Sequence, residues 1–402
     1  GISLVSFLLS LLTIAVACYS LSTDLRRRTL DLVITKPILR CQIVLGKFLG
    51  VSLLNLLLLA AFACIVYGLT LAIPSLTNAE PAERARAQAE FFTARKTVPM
   101  QMDTESMSRR VQQRLEKLEK EGQLPENMTR LQARSVLMEQ EQTAAKSVEI
   151  AAVREWDFQK VRIPPDPNAV LFIRYKFEAV PEPPNSEVFG QWRIGDFRQF
   201  QTADRRFMTP IYGFERSDSV RDVHEFTVPA TVVAEDGSVT VSFYNSPEMN
   251  FSTIIFSQME LLYKVGSFGM NFSRVVLLVA IRLVFLAALG VSLSTWLSFP
   301  VAVLCSISVF FAGLVNTFFM DAIDGLGAFM GLIYQLTIKW FLYIIPRFDG
   351  PYSPAGYIVS GEVLPWLFLG KAFLITIGIQ MTLLVVVGIY IFRRREIAKV
   401  TV

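Results

Sequence analysis

The residues with the clearest chemical potential form a short basic link between two very apolar segments near the start of the chain. From Asp24 to Lys47 the link carries six basic side chains, together with an acid, a Thr-Leu pair, a proline and a Gly-Lys pair in that order. Guanidinium and ammonium groups bind phosphates and carboxylates, so the expected chemistry is electrostatic contact with a lipid surface or a protein partner. The candidate contact residues are Asp24, Arg26, Arg27, Thr29, Leu30, Asp31, Pro37 and Arg40.

Sequence motifs of catalysis and metal binding are missing. The chain has no Gly-x-x-x-x-Gly-Lys-Ser/Thr phosphate loop, no His-Glu-x-x-His and no Gly-x-Ser-x-Gly. Its one histidine, His224, has no cysteine at metal-ligand spacing, and the polar middle of the chain contains none of the four cysteines. We therefore expect a chain that is not an enzyme by itself and that holds no metal and no cofactor.

One arginine falls inside an apolar run. Arg282 lies well within residues 275–299, and a charge at such a depth is costly without a partner. Asp321 or Asp324, at the outer end of the next apolar run, is the expected partner. Three interpretations stay open: a gate or substrate contact, a structural ion pair, or an arginine that snorkels outward.

Membrane-spanning helices are the elements that must position these residues. The 402 residues are 52% hydrophobic with a mean hydropathy of +0.43, and the apolar residues are concentrated at the two ends of the chain. A spanning helix needs about 20 mainly apolar residues. We predict five spans, at residues 2–21, 43–73, 275–299, 301–320 and 373–392.

Charge placement predicts the direction of each span. Basic residues concentrate on the cytoplasmic side of membrane proteins, which places both the link and Arg393–Arg395 in the cytoplasm. The region after Pro74 is then extracytoplasmic. Counting spans from there leaves the short apolar segment 331–346, which contains Lys339, to begin and end on the outer side. A re-entrant or interfacial helix meets that requirement.

The polar middle predicts an inserted α-hairpin. Residues 75–160 are rich in Glu, Gln, Arg, Lys and Ala, and Gly122 and Pro125 interrupt them. We interpret them as two long solvated helices rather than a partner-specific coiled coil. A sparse apolar seam between the helices is predicted at Leu115, Leu118, Leu131 and Val136.

Residues 161–270 predict an extracytoplasmic β-sandwich, because short alternating segments are separated by Pro and Gly. Four aromatic residues of this region, Tyr175, Trp192, Phe197 and Tyr212, would stack on a carbohydrate or peptide or would fill the core, and the core is preferred. The predicted strands are Ala169–Val180, Glu187–Ile194, Val223–Val228, Ser238–Tyr244 and Ser257–Val265.

The basic link and the tail of the chain resemble the type-2 ATP-binding-cassette (ABC) exporter permeases. In that family an acidic residue is followed by Gly-Thr-Leu, then Pro, Arg and Gly-Lys. Here Arg28 stands where the family usually has Gly. The residues that carry the resemblance are Asp24, Thr29-Leu30, Pro37, Arg40 and Gly46-Lys47, then Ser298-Phe-Pro300, Ile344-Ile-Pro-Arg-Phe348, Gly361-Glu362 and Phe392-Arg-Arg-Arg-Glu396.

The resemblance implies a fold for the whole chain. It would be an α-helical polytopic membrane protein with five visible spans of an expected six, a re-entrant outer segment and the inserted extracytoplasmic region. The missing first span would lie upstream of Gly1. The expected domains are residues 1–74 with the cytoplasmic link, the hairpin 75–160, the sandwich 161–270 and the second membrane portion 271–402.

The resemblance also implies a function: an inner-membrane permease of a bacterium, driven by a separate ATPase. A short amphipathic helix at Leu25–Ile34 would dock on that ATPase and couple it to the spans. Alternatively, the arginines only anchor lipid and set topology. The expected partners are the ATPase, a second permease subunit in a homo- or heterodimer, membrane lipid and a periplasmic protein, and not nucleic acid.

A second class of function stays open. The chain would then be a membrane-anchored binding or sensory protein, or a scaffold of an envelope assembly, whose extracytoplasmic region does the work. A co-purifying ATPase is the observation that separates this class from a permease.

Overall fold

The computed structural model describes residues 1–26, 39–76, 92–100, 103–121, 130–163, 169–200, 209–324 and 345–394. They form two compact units, one of Gly1–Ala94 with Ser267–Val402 and one of Arg95–Gly266. The α-helices are α1 (Ile2–Arg26), α2 (Arg40–Leu76), α3 (Thr104–Lys120), α4 (Arg130–Lys146), α5 (Phe268–Ser294), α6 (Phe299–Leu314), α7 (Asn316–Asp324), α8 (Pro354–Val359), α9 (Trp366–Phe373) and α10 (Thr382–Arg394).

Four helices of the first unit, within the described residues, are long and apolar enough to cross a membrane: Ile2–Asp24, Arg40–Ala72, Phe268–Ser294 and Trp366–Arg394. The last of these is continuous, because a π-helical stretch, Leu374–Met381, joins α9 to α10. Helix α6 is apolar but shorter. Four of the five expected spans thus correspond to long apolar helices, whereas the expected span 301–320 is divided at Val315 into α6 and α7. The segment 331–346, expected to be re-entrant, lies outside the described residues up to residue 344.

The ends of α1 and α2 that flank the basic link define one end of the helix bundle, called here the link end. Residues from α1, α2, α5 and α10 pack there into one apolar cluster. Its buried members are Ala17, Leu21, Val44, Phe48, Val51, Ala287, Ala288, Val291, Val385 and Phe392.

At the far end of the bundle, Ile2 of α1, Ala63 of α2, and Phe268 and Phe272 of α5 pack together. Helices α1 and α5 therefore run in one direction and α2 runs in the other. Helix α6 returns from the link end, because Phe299 contacts Tyr19 near the end of α1 while Phe310 and Phe311 contact Phe7 near its start. These directions are the ones expected from charge.

The chain on either side of residues 325–344 meets at α7. The Asn316 side-chain amide donates to the Ile345 carbonyl oxygen at 3.2 Å, and the Thr317 backbone N–H donates to the Asp349 carboxylate at 2.7 Å. Further along, the Leu364 N–H donates to the Asn271 amide oxygen in the first turn of α5 at 2.9 Å. The described chain after residue 345 thus packs against the start of α7, and Leu364 lies at the far end beside α5.

The second unit contains two antiparallel sheets, one in the order β1-β9-β4-β7 with β2 beside β9, the other in the order β3-β8-β5-β6. Both contribute to a single apolar core. The strands are β1 (Thr93–Pro99), β2 (Ser147–Val148), β3 (Val153–Phe158), β4 (Val170–Val180), β5 (Glu187–Gly195), β6 (Tyr212–Ser219), β7 (Val223–Pro229), β8 (Val239–Tyr244) and β9 (Thr253–Ser267).

The sheets differ from the sequence expectation in two respects. Strands β1, β2 and β3 precede residue 161, where the sandwich was expected to begin, and α3 and α4 belong to the same compact unit. Strand β6 was not predicted. Its residues include Gly213 and several charged side chains, so it lacks apolar alternation, and backbone pairing along β5 from Glu187 to Ile194 holds it in place.

Two of the predicted aromatic residues fill the sandwich core, as preferred. Trp192 and Tyr175 are almost completely buried and their rings lie 4.6 Å apart, whereas Tyr212 is exposed. The Tyr175 hydroxyl donates to Asp218, which also accepts from Arg216 Nε at 2.7 Å. Burial and this hydrogen bond raise the pKa of Tyr175, so the hydroxyl stays protonated and remains a donor.

The α-hairpin also differs in detail from its predicted seam. Helices α3 and α4 pack through Val111, Leu115, Ala133 and Leu137, while Val136 is exposed. Ala133 and Leu137 are four residues apart and therefore share one face of α4. Leu118 packs against this cluster from its edge, and the Leu131 side chain lies outside the described part.

The close approach of α1 to α5 predicts a matched pair of substitutions. A Cβ atom at Gly290 would lie 2.7 Å from the Ala17 Cβ atom, whereas one at Gly50 would meet nothing within 4 Å. Gly290→Leu should lower the free energy of unfolding by about 1–3 kcal/mol through overpacking. Gly50→Leu should not. Thermal unfolding in detergent measures both, and equal shifts would contradict the packing.

The buried hydroxyl of Tyr175 predicts the effects of a second matched pair of substitutions. Tyr175→Phe leaves Asp218 short of one donor and should destabilise the second unit by about 1–3 kcal/mol. Tyr212→Phe changes an exposed ring and should be neutral. Limited proteolysis at increasing temperature, read at sites within residues 95–266, compares the two variants. Identical melting of the two would argue against the Tyr175–Asp218 contact.

Candidate coupling junction and buried arginine

The described chain reaches the basic link from both sides. Helix α1 ends at Arg26 and α2 begins at Arg40. The Arg26 side chain and residues 27–38 lie outside the described residues, and with them Arg27, Thr29, Leu30, Asp31 and Pro37. Their role in coupling therefore stays a prediction, and the structure describes the junction to which they are attached.

Asp24 and Lys47 pair across the junction. The carboxylate of Asp24, in the last turns of α1, forms an ion pair with the ammonium of Lys47 in α2, and both side chains are about one third exposed. A pair this exposed adds only modestly to stability. Its consequence is geometric, because it ties the chain on one side of the link to the chain on the other.

Arg40 ties the start of α2 to the end of the last helix. Its Nη1 atom donates to the Arg393 carbonyl oxygen at 3.1 Å, and that carbonyl is one of the last in α10. The final carbonyls of a helix lack intrahelical partners and carry partial negative charge, so a guanidinium there is favourable. Leu39, just before α2, has its N–H capped by the Gln42 side chain at 3.0 Å.

These contacts lie at the link end, where four helices share one apolar cluster. The helices also approach one another closely at two further points. A Cβ at Gly388 of α10 would lie 3.0 Å from the Ser292 side chain of α5, and Gly290 faces Ala17. Packed interiors resist compression and transmit displacement. Helices α1, α2, α5 and α10 therefore form one packed cluster beside the link.

Arg282 lies near the middle of α5, where it is 7% exposed. Its Nη1 atom donates to the Ser6 hydroxyl at 3.2 Å. Its Nη2 atom donates to the carbonyl oxygens of Phe348 at 2.8 Å and Tyr352 at 3.3 Å, and the guanidinium lies 5.0 Å from the Phe348 ring centroid. The arginine thus joins α5, α1 and the irregular chain after residue 345.

The carboxylate that interacts electrostatically with Arg282 is Asp349. Asp349 itself accepts from the backbone N–H and the hydroxyl of Thr317, each at 2.7 Å. The two acids expected from sequence, Asp321 and Asp324, belong to α7, and their side chains lie outside the described part. Sequence reasoning missed Ser6 and Asp349. A polar residue at the start of a span and an acid next to Gly350 were the available signals.

Metal chemistry has no candidate centre in the described part of the chain, where no group of three His, Cys, Asp or Glu residues could hold an ion. His224 has a structural position instead. Its Nε2 atom lies 2.7 Å from the Ser219 carbonyl oxygen and its Nδ1 atom 3.5 Å from Asp218.

Comparison with known proteins gives one family. Residues 2–109 match the family model described as ABC-2 family transporter protein. No curated protein and no solved structure matches the chain.

The matched residues include α1, the basic link and α2, which are the elements that build the junction. They also carry the first motif by which the sequence resembles this family. The match to residues 2–109 therefore supports the resemblance of this chain to ABC-2-type transporter permeases.

Proposed function

We propose that this chain is the membrane-spanning permease subunit of an ABC transporter and moves its substrate with ATP hydrolysed by a separate subunit. It works as one half of a dimer, homomeric or heteromeric, in the cytoplasmic membrane of a bacterium. Leu25–Ile34 is the segment that docks on the ATPase. The family match supports the permease, and the junction at the link end supports the route of coupling.

The observation that carries this proposal is the convergence of four helices beside one short basic link. Asp24 pairs with Lys47, Arg40 bonds the end of α10, and a continuous apolar cluster lies among the four helices. A link that only anchored lipid headgroups would not require this tight connection to the last helix. A link that passes on movement requires it.

The helix directions support the proposed topology. If the link is cytoplasmic, α1 and α5 run inward and α2 and α6 run outward. Residues 95–266 are then extracytoplasmic. The adjacency of Asn316 and Ile345 agrees with a segment that begins and ends on the outer side.

Within this proposal, Arg282 is a gate residue. It holds the irregular chain at Phe348 and Tyr352 against the middle of α5 and against α1. A gate needs an element that can be released, and hydrogen bonds from one side chain to backbone carbonyls can break without unfolding a helix. The contacts of Arg282 meet that requirement.

One observation favours the alternative of a membrane-anchored binding protein. The open face of the β3-β8-β5-β6 sheet carries a groove of about 850 Å³ with aromatic walls and polar groups, a size and lining that suit a small ligand. The groove is lined by Val153, Glu155, Gln191, Arg193, Phe197, Phe200, Ile211, Ser242 and Tyr244.

Coupling through the link predicts a selective loss of driven ATP hydrolysis. Thr29→Trp or Asp31→Lys should reduce the hydrolysis that the permease stimulates in its ATPase, because the docking surface changes shape or charge. Glu235→Lys, an exposed charge reversal in the second unit, is the matched control and should leave hydrolysis unchanged. The assay uses the full complex in nanodiscs, with membrane insertion checked for each variant.

Two results would count against the proposal. One is unchanged ATP hydrolysis in correctly inserted link variants. The other is affinity purification of the full-length protein that recovers no ATPase, which would favour the binding-protein alternative.

The gate role of Arg282 predicts a leak. Arg282→Gln leaves the Phe348 and Tyr352 carbonyls without their charged donor, at about 1–3 kcal/mol for each unsatisfied group. Proteoliposomes with this variant should release a small entrapped dye without ATP. Arg282→Lys keeps the charge but loses the planar fork, so it should leak less. Proteoliposomes with Ser6→Ala, which removes a single hydrogen-bond acceptor, should retain the dye.

A merely structural Arg282 gives a different pattern. The Arg282→Gln protein would then melt at a lower temperature, and the fraction that inserts would be as tight as the unaltered protein.

A further inference from the structure

Four loops of the second unit gather at one end of its sandwich. Antiparallel pairing brings the end of β4 to the start of β9, with Val180 opposite Thr253, and the end of β8 to the start of β3. It also brings the start of β5 to the end of β6. Residues 149–152, 181–186, 220–222 and 245–252 therefore share one surface, called here the loop face.

Buried amides lock the loop face. Asn245 is fully buried, and its Nδ2 atom donates to the carbonyl oxygens of Val148, Glu149 and Ser252 at 3.0–3.2 Å. Asn250, also buried, both donates to and accepts from the Phe189 backbone. Loop 245–252 is therefore held from several sides rather than being loosely attached.

The backbone of the loop face is also held in a costly conformation. Ala151, Ser186 and Arg221 have φ values of 64°, 52° and 68°, in the left-handed region that side chains other than glycine rarely adopt. Each is held by its own N–H, for example from Arg221 to the Phe177 carbonyl oxygen at 2.8 Å. Strain of this kind persists where the surrounding structure enforces it, and it tends to cluster at functional surfaces.

On this rigid frame, large apolar side chains point into solvent. Phe251 is 79% exposed, Met249 57%, Val180 56% and Ile150 44%. Single exposed apolar residues are ordinary, whereas several on one ordered surface mark a site of interaction. An aromatic ring on a rigid loop is also the type of residue that dominates binding energy at protein interfaces.

The charges of the loop face select the kind of partner. Its four loops carry Glu149, Glu182, Asp222 and Glu248 against one arginine, Arg221, which is itself paired with Glu182 at 2.8 Å. A net negative rim repels anionic lipid and repels a second copy of the same surface. It attracts a protein that carries basic side chains.

We propose that the loop face docks a protein partner that offers an apolar pocket to Phe251, with lysine or arginine side chains around that pocket. Phe251 and Met249 supply the apolar contact, and the acidic rim supplies orientation. The proposal concerns residues 149–252 alone and does not depend on coupling to an ATPase.

The first experiment places the photo-crosslinking residue p-benzoyl-phenylalanine at position 251 of the full-length protein in native membranes. Position 136, where Val136 of α4 is 38% exposed outside the loop face, is the control. A specific protein adduct is expected at position 251 and not at position 136. Adducts to lipid only, adducts to a second copy of this chain only, or no protein adduct would each overturn the proposal.

The second experiment measures the affinity of the captured protein, identified and purified, for the full-length protein in nanodiscs. Phe251→Ser should weaken binding about tenfold or more, as expected of an interface hot spot. Glu248→Lys should weaken it several-fold and reduce its dependence on salt. Val136→Ser, an exposed substitution outside the loop face, should have no effect. Unchanged affinity in Phe251→Ser, with Met249→Ser as a second variant, would refute the docking surface.

Discussion

Burial of one apolar helix by its neighbours is the constraint on which the first unit depends. Helix α5 is 78% buried over its most apolar window, against 28% for α2 and 22% for the last helix. The helices around α5 therefore expose part of their apolar surface, whereas most side chains of α5 must pack against neighbouring helices. Gly290 shows the result, since a Cβ atom there would lie 2.7 Å from the Ala17 Cβ atom of α1.

Several polar groups inside this bundle donate to carbonyl oxygens. The hydroxyls of Ser10, Thr13 and Ser294 each donate to the carbonyl four residues earlier in the same helix. Arg282 follows the same rule over a longer distance, with backbone carbonyls as two of its three acceptors. An unsatisfied polar group costs more in an apolar medium than in water, so these pairings are what permits the residues there.

The parts of the fold that follow a periodic pattern were predictable from sequence. Five of the strands have such a pattern, while the spans were predictable from the length of their apolar runs. Pro300 falls in the first turn of α6, where proline fits. Strand β6 and the choice of Leu137 over Val136 were not predictable, because pairing and packing with distant residues decide them. The candidate site was likewise predictable from sequence only in part. The order of residues in the link indicated the family, whereas a carbonyl acceptor such as Phe348 leaves no trace in sequence.

The bond from Arg40 to the Arg393 carbonyl has a thermodynamic consequence. It joins the first residue of α2 to the end of a helix that lies 353 residues later in the chain. Linkage between two positions is reciprocal: if binding at one changes the free energy of the other, the reverse effect has the same size. If a ligand that shifts the last helix changes the affinity of a partner beside Arg40, that partner must change the affinity of the ligand by the same factor.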